Sequence, residues 1–123
     1  MVARVSQGEK HVSATTLQLW QTEWCPASHR VRQRLTELGL AYVVRQVPVQ
    51  HEDRAELVGS TGQASIPVLV AGEEVVAGEE AIFTYLDTHF AEPLEAEQQR
   101  AKAAMARRKE LEKACLELTT ATR

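Results

Sequence analysis

Thr16 to Val47 leaves the chain few options, because two strand-like segments are separated there by a single helix. Thr16 to Gln21 alternates, with Leu17 and Leu19 on one face and Gln18 and Trp20 on the other, the period of a half-buried strand. Pro26 suits the first helical position, where an N–H would be unpaired anyway. Ala27, Val31, Leu35 and Leu38 then recur at helical spacing, and Gly39 supplies the stop. Leu40 to Val47 is rich in β-branched and aromatic residues and ends at Pro48, which makes a second strand. Strands joined through one crossover helix pair in parallel, with a right-handed connection.

The remaining elements follow from the same signals. His51 to Val58 reads as a short helix with acidic residues early in it, ended by Gly59. Ile66 to Val70 is a third strand, and Ala71-Gly72-Glu73 turns it into a fourth, Glu74 to Ala77, as an antiparallel hairpin. Glu79 to about His89 is a helix with Ile82 and Leu86 inward, joined by Phe83 or Phe90. The order β-α-β-α-β-β-α is an α/β fold with a mixed four-stranded sheet and helices on both faces. Residues 1–14 read as a tail, 15–91 as the domain, 94–118 as an added C-terminal helix and 119–123 as a second tail.

Composition narrows the function classes. With 44% apolar and 25% charged residues the chain is not disordered throughout. No apolar run approaches the ~20 residues of a membrane-spanning helix, so no membrane is expected. The first sixteen residues carry Arg4, Glu9, Lys10 and His11 and lack the apolar core of a secretory signal. A net charge of −3 argues against nucleic acid as a partner. Cys25 and Cys115 cannot build a disulfide framework, and a reducing, cytoplasmic setting is the expectation. Charge breaks at Ala91-Glu92-Pro93: residues 1–94 hold seven Lys/Arg against twelve Asp/Glu, and residues 95–123 hold seven against five.

That last segment is dense in helix formers and would span about 36 Å. Ala101, Ala104, Met105, Leu111, Cys115 and Leu118 form a stripe, interrupted by Arg108, that must bury against the domain or against a second copy, giving a homodimer. Cys115 reads as a packing residue in it. The basic residues are interleaved with Glu and lack aromatic neighbours, which reads as a solvated face.

Chemistry concentrates at Trp24-Cys25-Pro26-Ala27-Ser28, between the first strand and the first helix. Backbone N–H groups at a helix start are unpaired, and the helix dipole is positive there. Both stabilise a thiolate, so Cys25 is expected to ionise readily and to react near neutral pH. Ile66-Pro67 opens a strand beside the first. A cis bond there would turn the Ile66 backbone toward Cys25, ready to pair with an extended peptide. His29 reads as solvent-facing, and Trp20 and Trp24 as packing residues. No Cys/His spacing suits zinc, and no metal is expected.

The element order, Cys25-Pro26-Ala27-Ser28 and Thr61-Gly62-Gln63-Ala64-Ser65-Ile66-Pro67 together resemble the glutaredoxins of the thioredoxin-fold superfamily, from about Leu17 to Phe90. Cys25 to Arg32, with Ala81-Ile82 and Tyr85-Leu86, is also similar to the N-terminal domain of cysteine-type glutathione S-transferases. The resemblance implies a thioredoxin fold and a monothiol thiol–disulfide oxidoreductase serving cell redox homeostasis. Its co-substrate would be glutathione or another low-molecular-weight thiol, and its partners protein or small-molecule mixed disulfides.

By the same likeness Cys25 is the nucleophile and Ser28 stands where dithiol members have a resolving cysteine. Ile66 pairs its backbone with the cysteinyl part of the thiol, and Pro67 is cis. Gly78, Glu79 and Glu80 lie at the γ-glutamyl end, Gln63 lies near the glycine carboxylate, and Trp24, Pro26 and Ser65 flank the ligand. The departures are informative. Gln21, Thr22 and Glu23 replace the usual basic residue before the motif, Ala27 replaces an aromatic, and Glu79 replaces a serine. Glu79 and Glu80 serve either ligand binding or helix-start electrostatics. A ligand carboxylate would need Arg30 or Arg54, and a less anionic thiol fits the pocket as well. Iron–sulfur binding members carry Cys-Gly-Phe-Ser, from which Pro26 and Ala27 depart. Two other readings stand beside this one: a non-catalytic binding module using the C-terminal helix as its interface, and a transferase-like activity.

Overall fold

The computed structural model describes residues 16–121, so the tail read at 1–14 lies outside the described residues. In chain order the elements are β1 (Leu17–Gln21), α1 (Pro26–Glu37), β2 (Val43–Gln46), a 3-10 turn (His51–Asp53), α2 (Ala55–Thr61), β3 (Val68–Ala71), β4 (Glu74–Ala77), α3 (Glu79–His89) and α4 (Ala96–Ala121). The sheet order is β2-β1-β3-β4. β1 and β2 are parallel, with Leu19 opposite Val44, as the single crossover helix demands. β1 and β3 are antiparallel, with Leu19 opposite Leu69, and β3 and β4 form the antiparallel hairpin. This is the mixed four-stranded sheet of a thioredoxin fold.

The alternation in β1 divides the core in two. Leu17 and Leu19 point to the face covered by α1 and α3, where Val31, Leu35, Ile82 and Leu86 close the larger cluster. Trp20 points the other way and packs with Val47, Leu57 and Val68 beneath α2. Trp20 is thus a core residue, as its position in the strand implies. Each fully buried aliphatic side chain here contributes about 1.5–3 kcal/mol relative to exposure.

Several boundaries differ from the sequence reading. β2 is confined to Val43–Gln46, and Leu40 and Tyr42 instead pack on the larger core from the segment before it. β3 begins after Pro67, which has no N–H to give to the ladder. The helix expected over His51–Val58 is broken at Arg54 and restarts as Ala55–Thr61, so Gly59 lies inside it. The stop is Gly62, at φ +76°, a conformation glycine adopts without steric cost. The break has a cause that periodicity cannot show. The Arg54 side chain turns inward, and its guanidinium donates to the carbonyls of Pro48 (3.0 Å), Ala64 (3.1 Å) and Val49 (3.3 Å).

The largest departure is α4. It runs to Ala121, so residues 119–121, read as a tail, continue the helix. Its expected apolar stripe is not buried: Ala101 and Ala104 are exposed, and Met105 and Leu111 are 42% and 58% exposed. Cys115 is exposed too, so it does not pack in a core. The helix is held by Ala96, which is fully buried, and by an ion cluster. Arg34 contacts Glu37 (2.8 Å), Asp87 (2.9 Å) and Glu92 (2.8 Å), while Arg100 contacts Glu92 (2.7 Å) and Glu37 (3.1 Å). Arg100 and Arg34 hold the Glu92 carboxyl down to about 2. This cluster fixes the rotation of α4, and the stripe turns aside from the domain.

Replacing Arg54 by Met keeps the apolar stem and removes all three donors to Pro48, Val49 and Ala64. The expected loss is about 2–4 kcal/mol of stability, read as a lower urea midpoint with unchanged slope. A midpoint within a few tenths molar of the parent would show that these carbonyls do not need the guanidinium.

Candidate active site at the start of the first helix

The site grows out of the end of β1. Beyond Gln21 the chain turns through Thr22, whose carbonyl accepts the Cys25 N–H at 3.4 Å. Cys25 is the N-cap of α1, in extended backbone (φ −80°, ψ 120°), and Pro26 takes the first helical position. In place of the usual capping oxygen, the Cys25 sulfur accepts the Ser28 N–H at 3.4 Å. Ser28 is fully buried. Its hydroxyl meets no well-directed partner in this geometry, and the Cys25 sulfur is the neighbour whose ionisation it favours.

Opposing effects act on the thiol. Partial burial raises its pKa; the Ser28 hydroxyl, the N–H groups of Ser28 and Ala27 and the Arg30 charge lower it. The lowering prevails, so Cys25 ionises below the ordinary cysteine value. A depressed folded-state pKa means that the thiolate contributes stability above the unfolded value. That contribution fades as pH falls through the folded one.

Two other segments meet this helix start. Ile66-Pro67 is a cis peptide bond. Trp20 pairs with Val68, which brings the preceding Ile66-Pro67 bend alongside Gln21-Thr22, the segment leading to Cys25. Among the described residues the Ile66 backbone N–H and carbonyl have no hydrogen-bond partner. The Pro67 carbonyl accepts the Gly78 N–H at 3.0 Å, which ties the start of α3 to the bend. Gly78 itself sits at φ +95°. One residue on, Glu79 is bound by both Arg30 Nε and Arg30 Nη2, the latter at 3.0 Å. Glu79 is thereby held below the usual carboxylate range, by its Arg30 bond first. The start of α1 is thus linked to the start of α3 through Arg30 and Glu79, and the start of α3 to the bend through Gly78 and Pro67, whereas Ile66, Pro67, Gly78 and Glu79 do not line the cleft that opens at Cys25. Glu80 is exposed at the start of α3, and Gln63 and Ser65 are exposed on the loop before the bend.

Three expectations need correction. Trp24 does not pack: it is 61% exposed beside Cys25. Arg54 cannot meet a ligand carboxylate, since its guanidinium is buried among backbone carbonyls. Arg30 is near the thiol but engaged by Glu79, so it reaches a ligand only by exchanging partners. His29 faces solvent, as expected.

Sequence reasoning missed the second wall of the site. A cleft of about 1030 Å³ opens at Cys25 and runs between α1 and α4. Trp24, His29 and Arg30 line one side and Ala103 and Arg107 the other. The recurrence of Ala96, Arg100, Ala103 and Arg107 on one helix face was the available signal, but small and basic residues do not register as a buried stripe. Among the described residues no group of three His, Cys, Asp or Glu side chains is placed to hold a metal ion.

The glutaredoxin family model matches residues 17–76. A glutathione transferase homologue from Drosophila mojavensis, solved with bound glutathione, is similar at a TM-score of 0.57 and 23% identity, over 62% of this chain and 36% of that one. A rice glutathione transferase in complex with glutathione gives 0.55 at 23% identity, over 74% and 44%. A glutathione S-transferase domain-containing protein from Marinobacter aquaeolei gives 0.53 at 29%, over 62% and 40%. The chain thus spans less than half the length of each of these structures. No curated protein matches the sequence.

Alkylation of Cys25 should follow a pH profile whose midpoint lies below that of an unstructured cysteine. Ser28→Ala and Arg30→Gln each remove an interaction that favours the thiolate, so each should move the midpoint up. The adduct is counted by peptide mass spectrometry, which separates Cys25 from Cys115. Midpoints that stay put in both variants would mean that neither group acts on the sulfur.

Proposed function

We propose that this thioredoxin-fold chain, whose residues 17–76 match the glutaredoxin family model, exchanges small-thiol mixed disulfides through Cys25 by a monothiol route. The observation that carries this reading is the Ser28 N–H on the Cys25 sulfur at the first turn of α1. The Cys25 thiolate attacks the small-thiol sulfur of a mixed disulfide. The S–S bond breaks, and the partner leaves as a thiolate that takes a proton from solvent. Cys25 now holds the small thiol in a disulfide. A second small-thiol thiolate attacks that thiol's sulfur, releases the symmetrical disulfide and restores the Cys25 thiolate. The N–H and hydroxyl that favour the resting thiolate also favour it as leaving group in this second step. Ser28 has no sulfur with which to close an internal disulfide at the motif, so the second equivalent comes from solution.

The co-substrate is glutathione or a thiol of similar shape; the solved transferases with bound glutathione support the first. Ile66 would pair its backbone with the cysteinyl unit, Gly78, Glu79 and Glu80 would meet the far amino-acid end, and Gln63 and Ser65 the near carboxylate. The α1–α4 cleft would receive the rest of the mixed disulfide, whether protein or small molecule. A reducing, cytoplasmic compartment would keep the small thiol available. The same cleft favours one other reading, transferase-like conjugation of a small electrophile to the bound thiol. Exchange is preferred because the ionised atom belongs to the protein.

The test is to expose the full chain to several oxidised small thiols, weigh the adduct and follow turnover of a mixed disulfide. Wild type should gain one thiol on Cys25, and Cys25→Ser should lose turnover at least a hundredfold. Turnover that persists in Cys25→Ser would point to conjugation chemistry. Glu79→Ser releases Arg30, so it should improve KM for glutathione severalfold and change little for a thiol without carboxylates. Equal effects on both thiols would remove Arg30 from ligand recognition.

A further inference from the structure

One flank of α4, bordering the cleft at Ala104, carries a repeat that the domain leaves exposed. Ala101, Arg108 and Cys115 recur every seven residues, as do Ala104, Leu111 and Leu118, the two alternating at three and four. This is the three–four spacing of a coiled-coil seam. Ala96 and Arg100 meet the domain, whereas Met105, Leu111 and Leu118 are 42%, 58% and 67% exposed. A shallow groove of about 430 Å³ at Arg108 to Leu116 lies on this side. α1 is less than half the length of α4, so the domain is packed near the N-terminal half only.

We infer that α4 of a second copy covers this face, and that the two helices run antiparallel. Direction follows from the layers. In a parallel pair each seam residue meets itself, which sets Arg108 against Arg108 and Ala101 against Ala101: one layer of like charges and one of void. Antiparallel pairing centred between Lys109 and Glu110 sets Leu118 against Ala101, Cys115 against Ala104 and Leu111 against Arg108. Every layer then combines a larger and a smaller or polar side chain. Charge selects the same direction. Residues 97–109 hold five basic and one acidic residue, and residues 110–121 three acidic and one basic. In the antiparallel register Glu110, Glu112 and Glu117 come level with Lys109, Arg107 and Lys102 of the other copy. The parallel register stacks Arg107-Arg108-Lys109 on itself. The two domains sit at opposite ends of the helix pair.

The test combines mass and cross-linking on the full chain. Sedimentation equilibrium should give a dimer. Leu111→Glu should weaken it at least tenfold with helix content kept, and Arg108→Leu, which removes the one charge from the seam, should tighten it. In a Cys25→Ser background, Ala104→Cys treated with copper phenanthroline should yield a disulfide-linked dimer, the introduced thiol of one copy joined to Cys115 of the other. The same background with Cys115 alone should cross-link poorly. A monomer at all concentrations, or a dimer that Leu111→Glu and Arg108→Leu leave unchanged, overturns the interface. A dimer that cross-links readily through Cys115 alone overturns the antiparallel direction.

Discussion

A single unconventional cap organises the molecule: the Cys25 sulfur takes a hydrogen bond that an oxygen usually takes at a helix start. An oxygen there would be chemically inert. A sulfur there is pulled toward its anion by unpaired N–H groups and a positive dipole end, effects worth roughly 0.3–2 kcal/mol at a helix terminus. Partial burial opposes ionisation and loses, because several donors converge on one atom. The rest of the fold places that cap. A parallel β1–α1–β2 unit must start its helix beyond the C-terminal end of β1, and antiparallel β3 must bring its own beginning to that same end.

Arginine partners divide the labour around this point. Arg54 serves architecture, fastening three carbonyls of the loops that lead to the cis bend. Arg30 stands between a thiol whose ionisation it favours and a carboxylate that binds it. Its bond to Glu79 joins α1 to α3. Arg34 and Arg100 gather Glu37, Asp87 and Glu92, and so decide which face of α4 looks at the cleft. A residue thus far from the sulfur shapes the space beside it.

The elements that periodicity and turn chemistry control were legible in the sequence. β1, α1, the β3–β4 hairpin and α3 fall where alternation, helical spacing, Pro26 and Gly72 put them. The capping cysteine and the approach of Ile66-Pro67 were legible for the same reason, since both are local consequences of strand and helix ends. What escaped was decided by side chains acting against type. A buried Arg54 broke a helix that its pattern would have continued. Trp24, large and aromatic, stayed in solvent. The stripe on α4 was correctly seen as apolar, but an ion cluster determined that the domain would not cover it, and no spacing rule reports how salt bridges rotate a helix. The cleft was invisible for a related reason, because it exists only once α4 docks.

The most direct measurement is an ultraviolet absorbance titration of the thiolate in the full chain, taken as the difference from Cys25→Ser so that Cys115 cancels. The expected result is a transition below the ordinary thiol value of about 8.5 that belongs to Cys25. A transition at or above that value would contradict it, because the helix start would then hold an ordinary thiol.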